Sequence, residues 1–162
     1  MSEDVQIRRA VPEESDAIAT VLSEAFAEYE SLYTAEAFAA TTPTPEQILG
    51  RLREGPIWVA LKNDVVVGTI AAVQKNEALY LRGMAIAPAA RGAGVGRKLL
   101  ECAEGFALQL GCERLLLSTT PFLTRAIRLY EHHGFRRNDE EPNDLFGTSL
   151  FTMSKTLRPA KE

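Results

Sequence analysis

The chain has few of the side chains that bind transition metals. Its 162 residues include two cysteines and two histidines. Cys102 and Cys112 do not have the spacing of paired metal ligands, and nothing around them suggests a zinc or iron–sulfur motif. We therefore expect no metal site, and we expect both cysteines to be the reduced, buried thiols of an intracellular protein.

Long apolar runs and an excess of positive charge are also missing. No apolar stretch approaches the roughly 18 residues of a membrane span, and the opening "MSEDVQIRRA" lacks the apolar stretch of a signal peptide. The formal net charge of −4 disfavours a nucleic-acid or anionic-membrane surface. The expectation is a cytoplasmic protein without nucleic-acid or membrane partners.

What is present is a mixed pattern of helices and strands in a chain long enough for one domain. Residues 1–162 are predicted to form a single domain with its core at about 5–158, of the α/β class in its mixed α+β form. Strands are expected at 5–10, on both sides of Asn63–Asp64, at 78–88 with a bulge at Gly83, at 112–120, at 135–137 and at 148–157. Helices are expected at 12–26, 44–55, 95–110 and 121–134.

The stretch Arg91–Arg97, "RGAGVGR", lies between a predicted strand and a predicted helix. Unpaired backbone N–H groups and the positive end of the helix dipole meet at such a place, and glycines let a ligand approach the backbone. This combination of free N–H groups, positive dipole and open backbone suits the binding of a diphosphate. A P-loop would need a glycine five residues before Gly96, where Arg91 stands, and a dinucleotide fingerprint would need G-x-G-x-x-G rather than G-x-G-x-G.

The pattern R-x-x-G-x-G, formed by Arg91, Gly94 and Gly96, resembles the acetyl-CoA motif of the GNAT superfamily of N-acetyltransferases. A second segment, "AIRLYEHHGF" at 126–135, resembles that superfamily's A-x-x-L-Y-x-x-x-G-F segment. The order of elements agrees over nearly the whole chain. The resemblance implies a central twisted mixed sheet of about six to seven strands flanked by about four helices.

The resemblance also implies acetyl-CoA as co-substrate. The strand end Met84, Ala85 and Ile86 would pair with the pantetheine arm. The loop that would hold the diphosphate comprises Arg91, Gly92, Ala93, Gly94, Val95, Gly96 and Arg97. Tyr130 matches the family tyrosine that protonates the departing thiolate as general acid, a proton transfer that is uphill by only about 2 kcal/mol at ordinary pKa values.

Two departures from the family pattern concern the reaction. Leu123 stands where the family often has an asparagine, so one side-chain contact to the cofactor is missing. Tyr80 stands where many relatives carry a glutamate that helps deprotonate the amine. Glu77 is the nearest carboxylate in sequence and is the candidate base, while Glu28, Glu30 and Glu36 remain open alternatives.

The acceptor that the family implies is a primary amine of a small molecule or peptide, attacked in a ternary complex. The acidic loop "NDEEPNDLFG" at 138–147, with Asp139, Glu140, Glu141 and Asp144, would steer a cationic amine. Three alternatives stay open: a module that binds acetyl-CoA without turnover, a nucleotide-dependent oxidoreductase, and a plain glycine turn. A homodimer is also open, since dimers are common among the relatives.

Overall fold

Eight strands form one open sheet in the computed structural model, which describes residues 4–138 and 143–157. In chain order the elements are β1 Val5–Arg9, α1 Ser15–Phe26, α2 Ala35–Thr41, α3 Pro45–Glu54, β2 Ile57–Lys62, β3 Val65–Lys75, β4 Ala78–Ile86, α4 Val95–Leu110, β5 Arg114–Thr119, α5 Thr124–His132, β6 Arg136–Arg137, β7 Asn143–Leu145 and β8 Thr148–Thr156. The strand order is β1-β2-β3-β4-β5-β8-β6, and β7 pairs with β8.

The mixed α and β class and the order of elements predicted from sequence are confirmed. The structure adds two elements to the expected number. Residues 28–43 contain α2, preceded by a 3-10 turn at Ala27–Leu32, and the acidic loop contains β7. Both were missed because neither has a clear periodicity: α2 is seven residues long and β7 three.

The centre of the sheet opens between β4 and β5. These two strands are parallel, as the α4 crossover requires, and they pair over only four positions, from Ala78 opposite Arg114 to Leu81 opposite Leu117. Just beyond, the β3–β4 register shifts and Gly83 has a φ of +59°, which confirms the predicted bulge. Pairing between described residues of β4 and β5 does not continue past these positions, so the two strand ends border an open gap in the sheet, here named the V.

Two apolar layers hold the helices on opposite faces of the sheet. On one face α4 buries Leu99, Leu100 and Ala103 against strand residues such as Leu79 and Leu115. On the other face α1 and α3 pack through a second cluster that includes Ile18, Leu22, Ile48 and Val59. The helix that follows the glycine loop is thereby fixed against β3 and β4, and its N-terminus is directed at the mouth of the V. No helix among the described residues is long and apolar enough to cross a membrane.

The start of α3 is set by a local signal that the sequence predicted. The Thr44 hydroxyl accepts a hydrogen bond from the Gln47 N–H at 3.2 Å, and the Gln47 side chain accepts one from the Thr44 N–H at 2.9 Å. Pro45 occupies the first helical position, where its missing N–H costs nothing. This reciprocal cap fixes the point at which α3 begins, and with it the direction of the side chains further along the helix.

Replacing Thr44 with alanine leaves one N–H of α3 without its side-chain acceptor. We expect the free energy of unfolding to fall by about 1 kcal/mol, measured by urea denaturation. Thr44→Ser keeps the hydroxyl and should stay within a few tenths of a kcal/mol of the wild type. Equal loss in both variants would mean that the threonine methyl group, rather than the cap, supports the helix.

Candidate active site

A cavity of about 460 Å³ lies at the mouth of the V, between the end of β4, the N-terminus of α4 and the inner face of α5. Most of the residues expected to bind the cofactor line it: Met84, Ala85, Ile86, Arg91, Gly92, Gly94, Val95, Gly96 and Arg97. Ala93 belongs to the same loop but does not line the cavity. The two motifs found in the sequence, one before α4 and one in α5, therefore face each other across a single space.

The N-terminus of α4 presents hydrogen-bond donors to this cavity. The residue before the helix is Gly94, in the left-handed conformation with φ +78°, and no side chain caps the first turn. The N–H groups of a first helical turn have no partner within the helix, and together with the dipole they make a site for an anion. The geometry of the loop and of the first turn of α4 therefore suits the binding of a diphosphate group.

The glycines of the motif are present for two different reasons. Gly92 and Gly94 have positive φ values, and a Cβ at Gly92 would meet no neighbouring atom within 4 Å. Gly96 is buried inside the helix, where a Cβ would lie 2.6 Å from Leu129 Cδ2 and 3.0 Å from Ile86 Cδ1. Gly96 thus permits close packing of α4 against α5 and β4, whereas sequence reasoning had treated all three glycines as clearance for the ligand.

The two arginines of the loop are held by carboxylates. Arg91 forms an ion pair with Glu28 at 2.7 Å and donates a hydrogen bond to the Ala25 carbonyl at 3.4 Å. Arg97 pairs with Glu101 one turn further along α4 at 3.5 Å. Arg91 thereby connects the glycine loop to the end of α1, a contact that no sequence pattern indicated.

Tyr130 lies in α5 and lines both this cavity and a second one of about 290 Å³, which is bordered by β4 and the end of β5. Its ring packs beside Phe135, with the centroids 5.9 Å apart, and the residue is 9% exposed. Burial raises the pKa of the Tyr130 phenol to about 12, with the neighbouring Tyr33 adding to the effect. The hydroxyl is therefore protonated throughout the physiological pH range.

The structure does not bring Glu77 to Tyr130. Glu77 is exposed in the turn between β3 and β4 and lines neither cavity, although Tyr80 and later residues of β4 line the second one. The seven residues from Glu77 to Met84 span roughly 23 Å at about 3.3 Å per strand residue. The position that often carries the family glutamate is Tyr80, which does line the second cavity.

None of the other acidic candidates among the described residues lines either cavity. Glu28 is engaged with Arg91, and both Glu30 and Glu36 are exposed. Of the described residues that line the two cavities beside Tyr130, none carries a carboxylate. In the acidic loop, Asp144 accepts a hydrogen bond from the Gly147 N–H at 2.8 Å and so builds the turn after β7. Asp139, Glu140 and Glu141 lie outside the described residues.

Sequence reasoning missed the two arginines that line the second cavity, Arg51 from α3 and Arg82 from β4. Tyr33, from the region without a clear pattern, lines it as well. Leu123, where the family often has asparagine, lines both cavities with an apolar side chain. These positions are far apart in sequence and belong to no motif, so no signal in the chain could have joined them.

Comparison with known proteins agrees with this geometry. Residues 18–135 match the model of the acetyltransferase (GNAT) family. The chain belongs to the GNAT family. It is 34% identical over 140 residues to the uncharacterized N-acetyltransferase YjgM of Escherichia coli, covering 82% of this chain and 83% of that protein. It is 38% identical over 104 residues to the IAA acetyltransferase of Azospirillum brasilense, covering 61% and 66% of the two chains.

The fold is also that of GNAT proteins. The PaiA N-acetyltransferase of Thermoplasma acidophilum, solved in complex with coenzyme A, superposes with a TM-score of 0.81 at 18% identity, covering 94% of this chain and 99% of that one. An acetyltransferase of the GNAT family from Staphylococcus aureus gives a TM-score of 0.80 at 19% identity, covering 96% of this chain and 100% of that one.

The close packing of Gly96 in this GNAT chain can be tested with two glycines of the same helix. Gly96→Ala should lower the free energy of unfolding by about 1–3 kcal/mol through overpacking against Leu129 and should weaken coenzyme A binding, because α4 must shift. Gly105→Ala, where a Cβ meets nothing within 4 Å, should instead add about 0.5–1 kcal/mol. Urea denaturation and calorimetric titration measure both quantities, and similar effects of the two variants would contradict the packing role.

Proposed function

We propose that the protein is an N-acetyltransferase that moves an acetyl group from acetyl-CoA to a primary amine. The observation that carries this proposal is the position of Tyr130, which lines both the cavity beside the glycine loop and the second cavity. A general acid for acetyl transfer must stand where the thioester sulfur departs as the amine attacks, and a residue shared by the two cavities suits that role. The names of the relatives as N-acetyltransferases support the same reaction class.

In this proposal acetyl-CoA supplies a thioester as the acetyl donor. The uncapped N–H groups of the first turn of α4 bind its diphosphate, and the unpaired edge of β4 at Met84–Ile86 aligns its pantetheine arm as a further strand would. Leu123, Ala126 and Leu129 form the apolar wall on the α5 side and exclude water from that arm. The backbone provides most of these contacts. The lack of an asparagine at position 123 therefore removes only one of several contacts to the cofactor.

Tyr130 acts as the general acid, giving its hydroxyl proton to the departing sulfur, and the excess proton that the nitrogen carries after its attack passes through water to restore the phenol. With its pKa at about 12 and a free thiol near 8.5, the transfer is uphill by about 5 kcal/mol. The same apolar surroundings raise the pKa of a thiol placed beside the ring, which narrows this difference. Burial therefore keeps the acid protonated and makes the leaving sulfur more basic at the same time.

The amine must lose its own proton before it attacks. For an alkylammonium with a pKa near 10.4 this costs about 4–5 kcal/mol at pH 7. No described residue lining the cavities provides a carboxylate base. We propose that the proton leaves through water and that the fraction of neutral amine limits the reaction.

A second candidate function is a module that binds acetyl-CoA and does not transfer the acetyl group. The same shortage of a carboxylate near Tyr130, together with Leu123, favours it. Release of free thiol from acetyl-CoA in the presence of an amine library, with acetylated product identified by mass spectrometry, separates the two. Binding of acetyl-CoA without product from any amine would support the module.

Tyr130→Phe should lower kcat by about 100-fold to 10,000-fold because the proton donor is lost. The KM for acetyl-CoA and the calorimetric Kd for coenzyme A should change little, since the ring remains and the phosphate contacts lie elsewhere. An unchanged kcat would remove Tyr130 from the reaction. A large rise in Kd with unchanged kcat would reduce it to a wall of the cofactor cavity.

The pH dependence follows from the amine and from Tyr130. We expect kcat/KM for an alkylamine to rise about tenfold per pH unit between pH 7 and 9, because deprotonation of the amine is required. No decrease should follow up to pH 10, since the raised pKa of Tyr130 keeps the hydroxyl protonated there. A plateau below pH 8 would reveal an enzyme base, and a decrease near pH 9 would contradict a buried tyrosine acid.

A further inference from the structure

The second cavity, of about 290 Å³, has an unusual charge for a site expected to receive a cationic amine. It lies between the bulge of β4, the end of β5 and the helices α2 and α3, and its apolar walls include Phe26, Tyr33 and Tyr80. Its charged lining residues are two arginines, Arg51 from α3 and Arg82 from β4. The volume is that of a small-molecule site at the low end of the usual range.

Only one of these arginines is neutralised by a described residue. Arg82 forms an ion pair with Glu54, the last residue of α3. Its Nε atom remains buried without a hydrogen-bond partner among the described residues. Arg51 forms no ion pair with any carboxylate in the part of the chain that the structure describes. The described lining of the cavity therefore has one positive charge in excess.

Arg51 also has more N–H donors than hydrogen bonds to described residues. A guanidinium has five N–H donors, and the hydrogen bond that Arg51 makes is a long one, 3.4 Å from its Nη2 to the Ala40 carbonyl. Burial and the neighbouring Arg82 charge lower the pKa of Arg51, although a guanidinium stays charged at any physiological pH. A half-buried cation with open donors beside a second cation is costly unless an anion completes the site.

The position of Arg51 relates it to the reaction. Its Nη1 would lie 2.9 Å from a Cβ placed on Gly83, so the guanidinium rests against the bulge, with Met84 next along β4. Met84 lines both cavities, as does Tyr130. An anion held by Arg51 would thus be attached to a molecule whose other end reaches the point where the two cavities meet.

We propose that the acceptor is a small amine that also carries a carboxylate, an amino acid or a close analogue, and that Arg51, with Arg82 beside it, binds the carboxylate. This inference rests on the proposed function and names its substrate class. A planar carboxylate matches the fork of a guanidinium through two parallel hydrogen bonds. A polyamine or an arginine-rich peptide would bring further positive charge towards the two guanidiniums and is disfavoured.

The experiment compares amino acids with analogues that lack the carboxylate. Wild-type protein and acetyl-CoA are given a panel of α-, β- and γ-amino acids, the primary amide of each, and the amine that remains when the carboxylate is removed. We expect at least one acid to be acetylated with a kcat/KM at least tenfold above that of its amide and of its decarboxylated amine. Amino amides have the less basic nitrogen, so their larger neutral fraction works against the expected result. The decarboxylated amines are more basic than the acids, so their kcat/KM is compared per neutral amine.

Variants of α3 then assign the preference to a residue. Arg51→Gln should reduce kcat/KM for the preferred acid at least tenfold while changing that for its amide less than threefold. Arg51→Lys keeps the charge and loses the forked geometry of the guanidinium. Its kcat/KM for the preferred acid should lie between those of the wild type and Arg51→Gln. Arg53→Gln serves as the matched control, because Arg53 is exposed on the same helix and does not line the cavity. Thermal unfolding and coenzyme A affinity establish that each variant is folded.

The outcomes separate this inference from the proposed function. If acids, amides and plain amines are acetylated equally, or plain amines are preferred, the carboxylate site is wrong while the acetyltransferase proposal stands. If the acid preference persists in Arg51→Gln, the site is not at Arg51 and the inference is likewise overturned. If no amine of any kind is acetylated, the proposed function itself fails.

Discussion

The separation of β4 from β5 is the feature on which the rest of the site depends. The two strands pair over only four positions before the bulge at Gly83 turns β4 aside. This leaves main-chain groups of β4 unpaired and leaves a gap into which α5 places Tyr130. The glycine loop, the Tyr130 phenol and the second cavity are all arranged around that gap. A sheet that paired β4 and β5 along their whole length would have no cavity on either side.

Most residues that line the first cavity were identified from the sequence, whereas the two arginines of the second cavity were not. The residues predicted to bind the diphosphate are consecutive, Arg91 to Arg97, and follow the local pattern of a strand, a loop and the start of a helix. The helix cap at Thr44 and the bulge at Gly83 are equally local. Such features are fixed by a few neighbouring residues and therefore leave a pattern in the chain.

Arg51 and Glu77 illustrate the limit of that reasoning. Glu77 is near the cofactor strand in sequence, yet a strand is extended and carries its two ends far apart. Arg51 is distant in sequence from every motif, yet the packing of α3 on the sheet brings it against Gly83. The role of Glu77 as base stays a prediction that its exposed position does not support, and Arg51 could not be identified from the sequence, because both depend on how separate elements meet. Gly96 shows the same dependence on distant elements. A side chain at this position would clash with Leu129, which belongs to another helix.

The ion pair between Arg91 and Glu28 joins the glycine loop to the 3-10 turn Ala27–Leu32, which follows α1 and leads directly to Tyr33 in the wall of the second cavity. A diphosphate bound at the loop would compete with Glu28 for Arg91. If that competition altered binding in the second cavity, thermodynamic reciprocity would require a ligand there to change the affinity of the loop for the diphosphate by the same factor. This one contact between a loop and a turn would then couple the occupancy of the two cavities.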